Sequence, residues 1–164
     1  MRKKVFRILS IDGGGIRGVF PAHILSNISK KLNINVNEHF DMIAGTSTGS
    51  IIAAGIACSI DPDQIVSFYK NNGNDIFHKK NKYFSKLKAA FYSKYSNEKF
   101  SAILKDCFKD KTLGEVTIPL MLPSTDVGNG SVHVFKSQYY SEFIRDKNIF
   151  VRDAVLASCS APTY

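Results

Sequence analysis

The residues best suited to covalent chemistry are a serine and the glycines on either side of it. Gly45-Thr46-Ser47-Thr48-Gly49 fits the pattern G-x-S-x-G, and it lies between a short apolar run and a stretch of small and apolar residues. A serine on such a strand-to-helix turn is held out at the edge of a sheet, and the helix N-terminus favours negative charge that develops there. The pattern predicts that Ser47 is a nucleophile. The alternative is a Ser/Thr-rich helix cap between glycines.

A second glycine-rich segment, Gly13-Gly14-Gly15-Ile16-Arg17-Gly18, also follows an apolar run. It satisfies G-x-G-x-x-G, the pattern of a dinucleotide-binding loop, and Glu38 lies about where a ribose-binding acid is expected. Asp12 weighs against that interpretation, because it would place a carboxylate near a pyrophosphate. The same glycines suit an oxyanion hole, in which unobstructed backbone N–H groups donate to a tetrahedral intermediate. An ordinary strand-to-helix turn is the structural alternative.

Alternating strand-like and helical segments set the two loops in equivalent positions. Residues 5–11 and 40–44 are short apolar runs typical of buried strands, and each leads through a glycine loop into a helical segment, 21–32 or 51–57. This order predicts an α/β fold with a parallel or mixed central sheet flanked by helices. Ligand sites in such folds lie at the carboxyl ends of the strands.

The rest of the chain adds helices and a strand pair. Asp61 and Pro62 predict the start of a helix that ends near Asn71, before a turn at 72–74. Two further helices are predicted at 101–108 and 152–158. Two strands, 116–123 and 131–136, are predicted to flank an Asn-Gly turn.

Composition agrees with a folded domain and narrows the classes of partner. The 164 residues are 44% hydrophobic and 22% charged, which is close to the globular average and suits one domain. The formal charge of +8 favours nucleic acid, phosphate esters or lipid headgroups. The three cysteines have no paired spacing and predict neither a disulfide framework nor a zinc site. With no signal-peptide or membrane-spanning pattern, we expect a cytoplasmic protein.

Much of the positive charge lies in residues 78–99, where Glu98 is the single acidic residue. The seven lysines, from Lys79 to Lys99, attract anionic headgroups, and the interleaved Tyr and Phe side chains suit a membrane interface. We therefore expect peripheral membrane contact here and no nucleic-acid binding, although basic and aromatic side chains also bind nucleic acids. The plain alternative is a solvated lysine-rich helix with its aromatic residues in the core.

Together these motifs resemble those of the patatin-like phospholipase family. Residues 11–18 are similar to the family's D-G-G-G-x-R-G loop, and residues 45–49 to its G-x-S-x-G elbow. Residues 157–164 are similar to its A-S-x-A-A-P-T-Y-F stretch, and residues 119–136 to its central strand pair. The resemblance covers nearly the whole chain. It departs from the family pattern at Ser50 and Ser160, neither of which touches the predicted chemistry.

The resemblance implies a patatin-like, α/β-hydrolase-related fold and a phospholipase A-type serine hydrolase of phospholipid or galactolipid acyl esters at a membrane surface. It implies a Ser-Asp dyad without cofactor or metal, in which Ser47 attacks the ester. The elbow would consist of Gly45, Thr46, Thr48 and Gly49, and the oxyanion hole of Gly13, Gly14, Gly15, Arg17 and Gly18.

The family's catalytic aspartate belongs to a D-G-G or D-G-A motif downstream of A-P-T-Y. This chain ends at Tyr164, before any such motif. We therefore expect residues 1–164 to be one incomplete patatin-like domain, inactive on its own, with the aspartate beyond Tyr164.

Two residues in the chain offer an alternative base. Asp126 and His133 give the order Ser, Asp, His of α/β-hydrolases, but Asp126 lies in turn-forming sequence and His133 in a strand, so each has a structural explanation. Asp12 and Asp41 are expected to fix loop hydrogen bonds. Two other functions stay open: a nucleotide- or phosphate-binding module that uses the loop 13–18, and a catalytically incomplete lipid-surface binder.

Overall fold

The computed structural model describes residues 5–77 and 89–160, with residues 74–77 and 89–97 described by their backbone only. Within these ranges the chain forms four strands and five α-helices. In chain order they are β1 Ile8–Ile11, α1 Val19–Leu32, β2 Met42–Gly45, α2 Thr48–Ala57, α3 Pro62–Phe77, α4 Ala89–Phe108, β3 Leu120–Asp126, β4 Ser131–Lys136 and α5 Val151–Cys159.

The four strands form one open, mixed sheet in the order β1-β2-β3-β4. Strands β1, β2 and β3 are parallel, and β3 and β4 form an antiparallel hairpin. Ile11 pairs with Gly45, the last residues of β1 and β2, so the loops that follow these strands leave the same edge of the sheet. The predicted α/β fold with a mixed central sheet and flanking helices is confirmed.

Helix α2 lies at the centre of the core, and all ten of its residues are buried. It packs against β1, β2, β3, α3 and α5. A Cβ on Gly45 would lie 2.3 Å from Gly49 O, and a Cβ on Gly49 would lie 2.2 Å from Ile11 O. Glycine is required at both positions because the strands and the helix approach too closely for any side chain.

Helix α3 is longer than predicted. The expected end near Asn71 and the turn at 72–74 were wrong, since the helix continues to Phe77. Gly73 is buried within it, and a Cβ there would lie 2.4 Å from Ile16 Cδ1. The helix thus continues through this glycine, with Ile16 lying over it, although glycine costs about 1 kcal/mol inside a helix.

The other predicted elements are confirmed with shifted bounds. Asp61 Oδ1 accepts the N–H of Asp63 at 2.7 Å, so Asp61 caps α3 as expected. The predicted strand pair corresponds to β3 and β4, and the last predicted helix to α5. Helix α4 begins at Ala89, earlier than the predicted 101–108.

Most of the lysine-rich segment at 78–99 lies outside the described residues. Residues 78–88 are not described, and 89–97 are described only as backbone of α4. Membrane contact through this segment therefore stays a prediction. Among the helices that the structure does describe, none is both long enough and apolar enough to cross a membrane.

Candidate active site

Ser47 lies on the turn between β2 and α2 with φ 52° and ψ −127°. This backbone conformation is unfavourable for a residue with a side chain, and such strain costs about 1–3 kcal/mol. It persists only where the surrounding structure holds it in place. Ser47 therefore has the strained backbone expected of a nucleophile elbow.

Hydrogen bonds hold the backbone of Ser47 on both sides. Its N–H donates to Ser158 Oγ on α5 at 3.1 Å. Its carbonyl oxygen accepts the Ser50 N–H at 2.8 Å and the Ser50 hydroxyl at 2.5 Å. Ser158 Oγ in turn donates to Pro123 O on β3 at 2.6 Å. The strained turn is thus fixed to α2 and, through α5, to the sheet.

The loop that follows β1 lies directly beside Ser47. A Cβ on Gly13 would lie 2.8 Å from Ser47 Cβ, 2.9 Å from Thr46 O and 3.5 Å from Ser47 Oγ. Only glycine leaves room for the Ser47 side chain and the Thr46 carbonyl at this position. The structure therefore brings together the two glycine-rich segments that stand out in the sequence.

The remaining loop residues are held by local hydrogen bonds. Gly14 N–H donates to Thr48 Oγ1 at 3.1 Å, which joins the loop to the first turn of α2. Gly15 has φ +60°, a conformation that glycine adopts without strain. Arg17 N–H donates to Gly14 O at 3.3 Å, and its exposed guanidinium Nε lies 3.4 Å from the same oxygen. Thr48 and Arg17 therefore stabilise the loop.

Tyr69, on α3, supports both glycine segments. Its hydroxyl donates to Thr48 O at 2.5 Å, and a Cβ on Gly18 would lie 2.8 Å from its ring. Burial raises the pKa of Tyr69, so the phenol stays protonated and remains a donor. Its spacing from Ile65 and Val66 predicts a buried helix face, but nothing in the sequence marks Tyr69 as a partner of the elbow.

Tyr69→Phe is expected to lower the free energy of unfolding by about 1–2 kcal/mol, because Thr48 O loses a buried donor while the ring remains. Urea denaturation of the variant and the wild type measures this change. Tyr140→Phe is the matched control, since Tyr140 is exposed and should lose less than about 0.5 kcal/mol. Equal losses for the two variants would contradict the role of the Tyr69 hydroxyl.

Cys159 is another side chain of nucleophilic type near the elbow, with Sγ 3.8 Å from Ser50 Oγ. Burial raises the pKa of its thiol to about 12. The thiol is therefore protonated at neutral pH, and a protonated thiol is a poor nucleophile. Cys58 and Cys107 are also free thiols, and burial raises the pKa of each to about 11.

Asp126 and His133, the alternative base, lie on the β3–β4 hairpin, and only Asp126 has hydrogen-bond partners there. The Asp126 carboxylate accepts the N–H of Asn129 at 3.2 Å and its side-chain amide at 2.7 Å, which closes the turn. His133 Nε2 is buried, lies 3.7 Å from Asp146 Oδ1, and has no hydrogen-bond partner among the described residues. Within residues 5–77 and 89–160, neither side chain forms a hydrogen bond with Ser47. The structure thus supports a structural role for Asp126, and it shows no bond that joins His133 to Ser47.

Asp12 and Asp41, the aspartates that precede the two strand-to-helix loops, form no hydrogen bond with Ser47 Oγ among the described residues. Asp41 Oδ2 accepts the N–H of Arg7 at 2.8 Å, immediately before β1, so its side chain holds the start of the strands and not a glycine loop, contrary to the expectation. Asp12 is exposed, and its carbonyl oxygen would lie 2.8 Å from a Cβ on Gly49.

Asp146 is a buried carboxylate that no sequence pattern indicated. It accepts Arg145 Nε at 2.8 Å and the Lys136 N–H at 3.0 Å. Burial by itself raises the pKa of this carboxyl, but the hydrogen bonds from Arg145 and Lys136 outweigh it, so the pKa lies below its usual value. The side chain joins β4 to the segment before α5.

Asp146→Asn is expected to lower the free energy of unfolding by about 2 kcal/mol at neutral pH, because hydrogen bonds to a charged group are lost. A depressed folded-state pKa means that this contribution is complete above the unfolded pKa of about 3.9 and is lost as pH falls through the folded pKa. Urea titrations at neutral pH and near pH 3 measure it, with exposed Asp106→Asn as the control. A difference that does not shrink on acidification would contradict this account.

The chain matches a known family over most of its length. The sequence model of the patatin-like phospholipase family covers residues 9–164. A cGAMP-activated phospholipase of Pseudomonas aeruginosa is 27% identical over 159 residues, which cover 97% of this chain and 48% of that protein. A cGAMP-activated phospholipase of Vibrio cholerae is 30% identical over 178 residues, covering 99% of this chain and 50% of that protein.

A plant protein matches the chain at a similar identity and coverage. Patatin-like protein 2 of Oryza sativa subsp. japonica is 29% identical over 178 residues, which cover 98% of this chain and 44% of that protein. The chain thus spans about half the length of the curated relatives it matches. Because the family model covers nearly all of the chain, including the Ser47 elbow and the glycine loop, the chain belongs to the patatin-like phospholipase family.

Proposed function

We propose that the native polypeptide carrying this chain is a lipid acyl hydrolase of phospholipase A type, with Ser47 as its nucleophile. The observation that carries the proposal is the strained Ser47 turn beside the glycine loop. The two are so close that a Cβ added to Gly13 would lie 3.5 Å from Ser47 Oγ. Membership of the family supports acyl esters of phospholipids or galactolipids as the substrate class.

In the proposed reaction Ser47 Oγ attacks the acyl carbonyl, and its proton passes to a base. The ester C–O bond then breaks, the leaving alcohol takes up the proton, and water hydrolyses the acyl-enzyme. The oxyanion is stabilised by backbone donors and by the positive end of α2. Gly14 N–H and Arg17 N–H are already engaged, so we assign the donor role to Gly13 and Gly15.

The proton acceptor in this proposal lies beyond Tyr164. Within the described part of the chain, Ser47 Oγ has no hydrogen bond with a carboxylate or an imidazole. A Ser-Asp dyad therefore needs the aspartate of the family's D-G-G or D-G-A motif from the native polypeptide. Without it, residues 1–164 would bind a lipid surface but turn over little substrate.

Vesicle assays test the substrate class. The native polypeptide should release free fatty acid and lysolipid from vesicles of phosphatidylcholine or galactolipid, quantified by mass spectrometry. Ether-linked phosphatidylcholine, which has no acyl ester, is the matched control and should yield no product. Release of a headgroup in place of fatty acid would contradict a phospholipase A-type reaction.

Nucleotide binding by the loop 13–18 is less well supported, because Gly13 contacts Ser47 and Gly14 N–H donates to Thr48. These groups are therefore used within the protein. NAD and ATP should leave the Tm unchanged, and a clear rise with either would favour the nucleotide-binding module.

Membrane contact forms part of the same proposal. We assign it to the lysine-rich segment 79–99, whose charge suits an anionic lipid surface, in a protein located in the cytoplasm. Lys99, at the described end of this segment, is exposed.

A further inference from the structure

Ser158 holds the backbone of Ser47, although 111 residues separate the two in the sequence. Its hydroxyl accepts Ser47 N–H at 3.1 Å and donates to Pro123 O at 2.6 Å. The residue is only 7% exposed, so water does not readily replace these bonds. The hydroxyl therefore forms a fixed bridge from β3 to the nucleophile turn.

The bridge acts at the strained residue itself. Ser47 combines φ 52° with ψ −127°, a conformation that depends on its surroundings. Its carbonyl oxygen is held by Ser50, which belongs to the same turn and helix as Ser47. Its N–H is held by Ser158, which belongs to a different helix. Ser158 thus ties the direction of the peptide before Ser47 to the rest of the fold.

We propose that Ser158 is a positioning residue that sets the direction of Ser47 Oγ, an inference that rests on the proposed role of Ser47. Without the Ser158 hydroxyl, the peptide that joins Thr46 to Ser47 has lost its hydrogen bond and can rotate. Ser47 Oγ then leaves the geometry needed for attack. A displacement of about 1 Å at a reacting atom costs on the order of 100-fold in rate.

Ser137 provides a matched control, because its hydrogen bonds have the same chemistry. It is fully buried, accepts Leu120 N–H at 2.8 Å and donates to Ile118 O at 3.0 Å. Leu120 is the first residue of β3 and pairs with Ile43 of the parallel strand β2, four positions before Ser47. Ser137 therefore acts on strand backbone that precedes the nucleophile turn and makes no bond with Ser47.

The test compares Ser158→Ala with Ser137→Ala in the native polypeptide, by kcat and KM on phosphatidylcholine vesicles and by Tm. Both variants should lose a similar amount of Tm. For Ser158→Ala, kcat should fall by about tenfold to 100-fold with little change in KM, because geometry and not substrate binding is affected. For Ser137→Ala, kcat should stay within about twofold of the wild type. Ser158→Thr, which keeps the hydroxyl, should restore most of the rate.

The same kcat for Ser158→Ala and Ser137→Ala would overturn the positioning role. Should Ser158→Ala fail to fold, Ser158→Cys carries the test, because the thiol fills the place of the hydroxyl, with a somewhat larger atom, but is a weak donor and acceptor. A cysteine variant with the wild-type kcat would then overturn the proposal. Ser47→Ala separates failure of the proposed function from failure of the positioning role. An active Ser47→Ala variant would refute Ser47 as the nucleophile. An inactive Ser47→Ala variant together with normal kinetics of Ser158→Ala would refute only the positioning role.

Discussion

Ser47→Ala is expected to lower kcat for lipid ester hydrolysis by about 10⁴-fold or more, because the attacking oxygen is removed. Loss of a nucleophile leaves only the weak catalysis that the oxyanion hole and substrate binding supply. The fold should survive, since the bonds to Ser158 and Ser50 at this turn are made by the backbone of Ser47. Fatty-acid release by the native polypeptide measures kcat, and Tm reports the fold.

Ser67→Ala is the control for this substitution. Ser67 is exposed on α3, so the variant should keep both activity and Tm. An active Ser47→Ala variant would contradict the proposal that Ser47 is the nucleophile. A Ser47→Ala variant that lost activity together with its fold would contradict the expected independence of the turn from the hydroxyl.

Gly13→Ala is expected to lower kcat by about 100-fold, because its new methyl group would displace the nucleophile. The Cβ would lie 2.8 Å from Ser47 Cβ and 2.9 Å from Thr46 O, and the second of these is a backbone atom that cannot move cheaply. The overpacking should also lower the free energy of unfolding by about 1–3 kcal/mol. Steady-state kinetics and urea denaturation of the same variant measure the two effects.

Gly14→Ala sharpens this prediction, because the two glycines are neighbours in the same loop. Gly14 has φ −178°, which any residue adopts, and its nearest Cβ contact is Arg17 Cβ at 3.7 Å. Its N–H, which bonds Thr48, is kept in the variant. The loss in kcat should be at least about tenfold smaller than for Gly13→Ala. Equal losses at the two positions would contradict the steric role of Gly13.

The fold could be predicted wherever local pattern and tertiary packing agree. Apolar runs before two glycine loops indicated β1 and β2, and the Asn-Gly turn indicated the β3–β4 hairpin. The end of α3 could not be predicted this way. The run Asn72-Gly73-Asn74 indicates a turn, whereas the helix continues through it with Ile16 packed over Gly73. That packing partner is 57 positions away along the chain, and helical periodicity carries no information about it.

The same limit separates the predicted site residues from those that were missed. Ser47 and Gly13 stood out because their motifs are local and their neighbours in sequence share the same turn. The bonds from Tyr69 to Thr48 and from Ser158 to Ser47 join residues 21 and 111 positions apart. Their donors and acceptors include backbone atoms, which every residue type carries, so no side-chain pattern reveals them. Only the tertiary structure shows that these residues support the elbow.

Covalent trapping identifies the residue that acts as the nucleophile. The native polypeptide would be treated with a long-chain alkyl fluorophosphonate, which phosphonylates activated serine hydroxyls, and then digested for peptide mass spectrometry. Activity should be lost in step with the attachment of a single phosphonyl group, and this group should be on Ser47. Loss of activity with the Ser47 peptide unmodified and the label on another residue would contradict it.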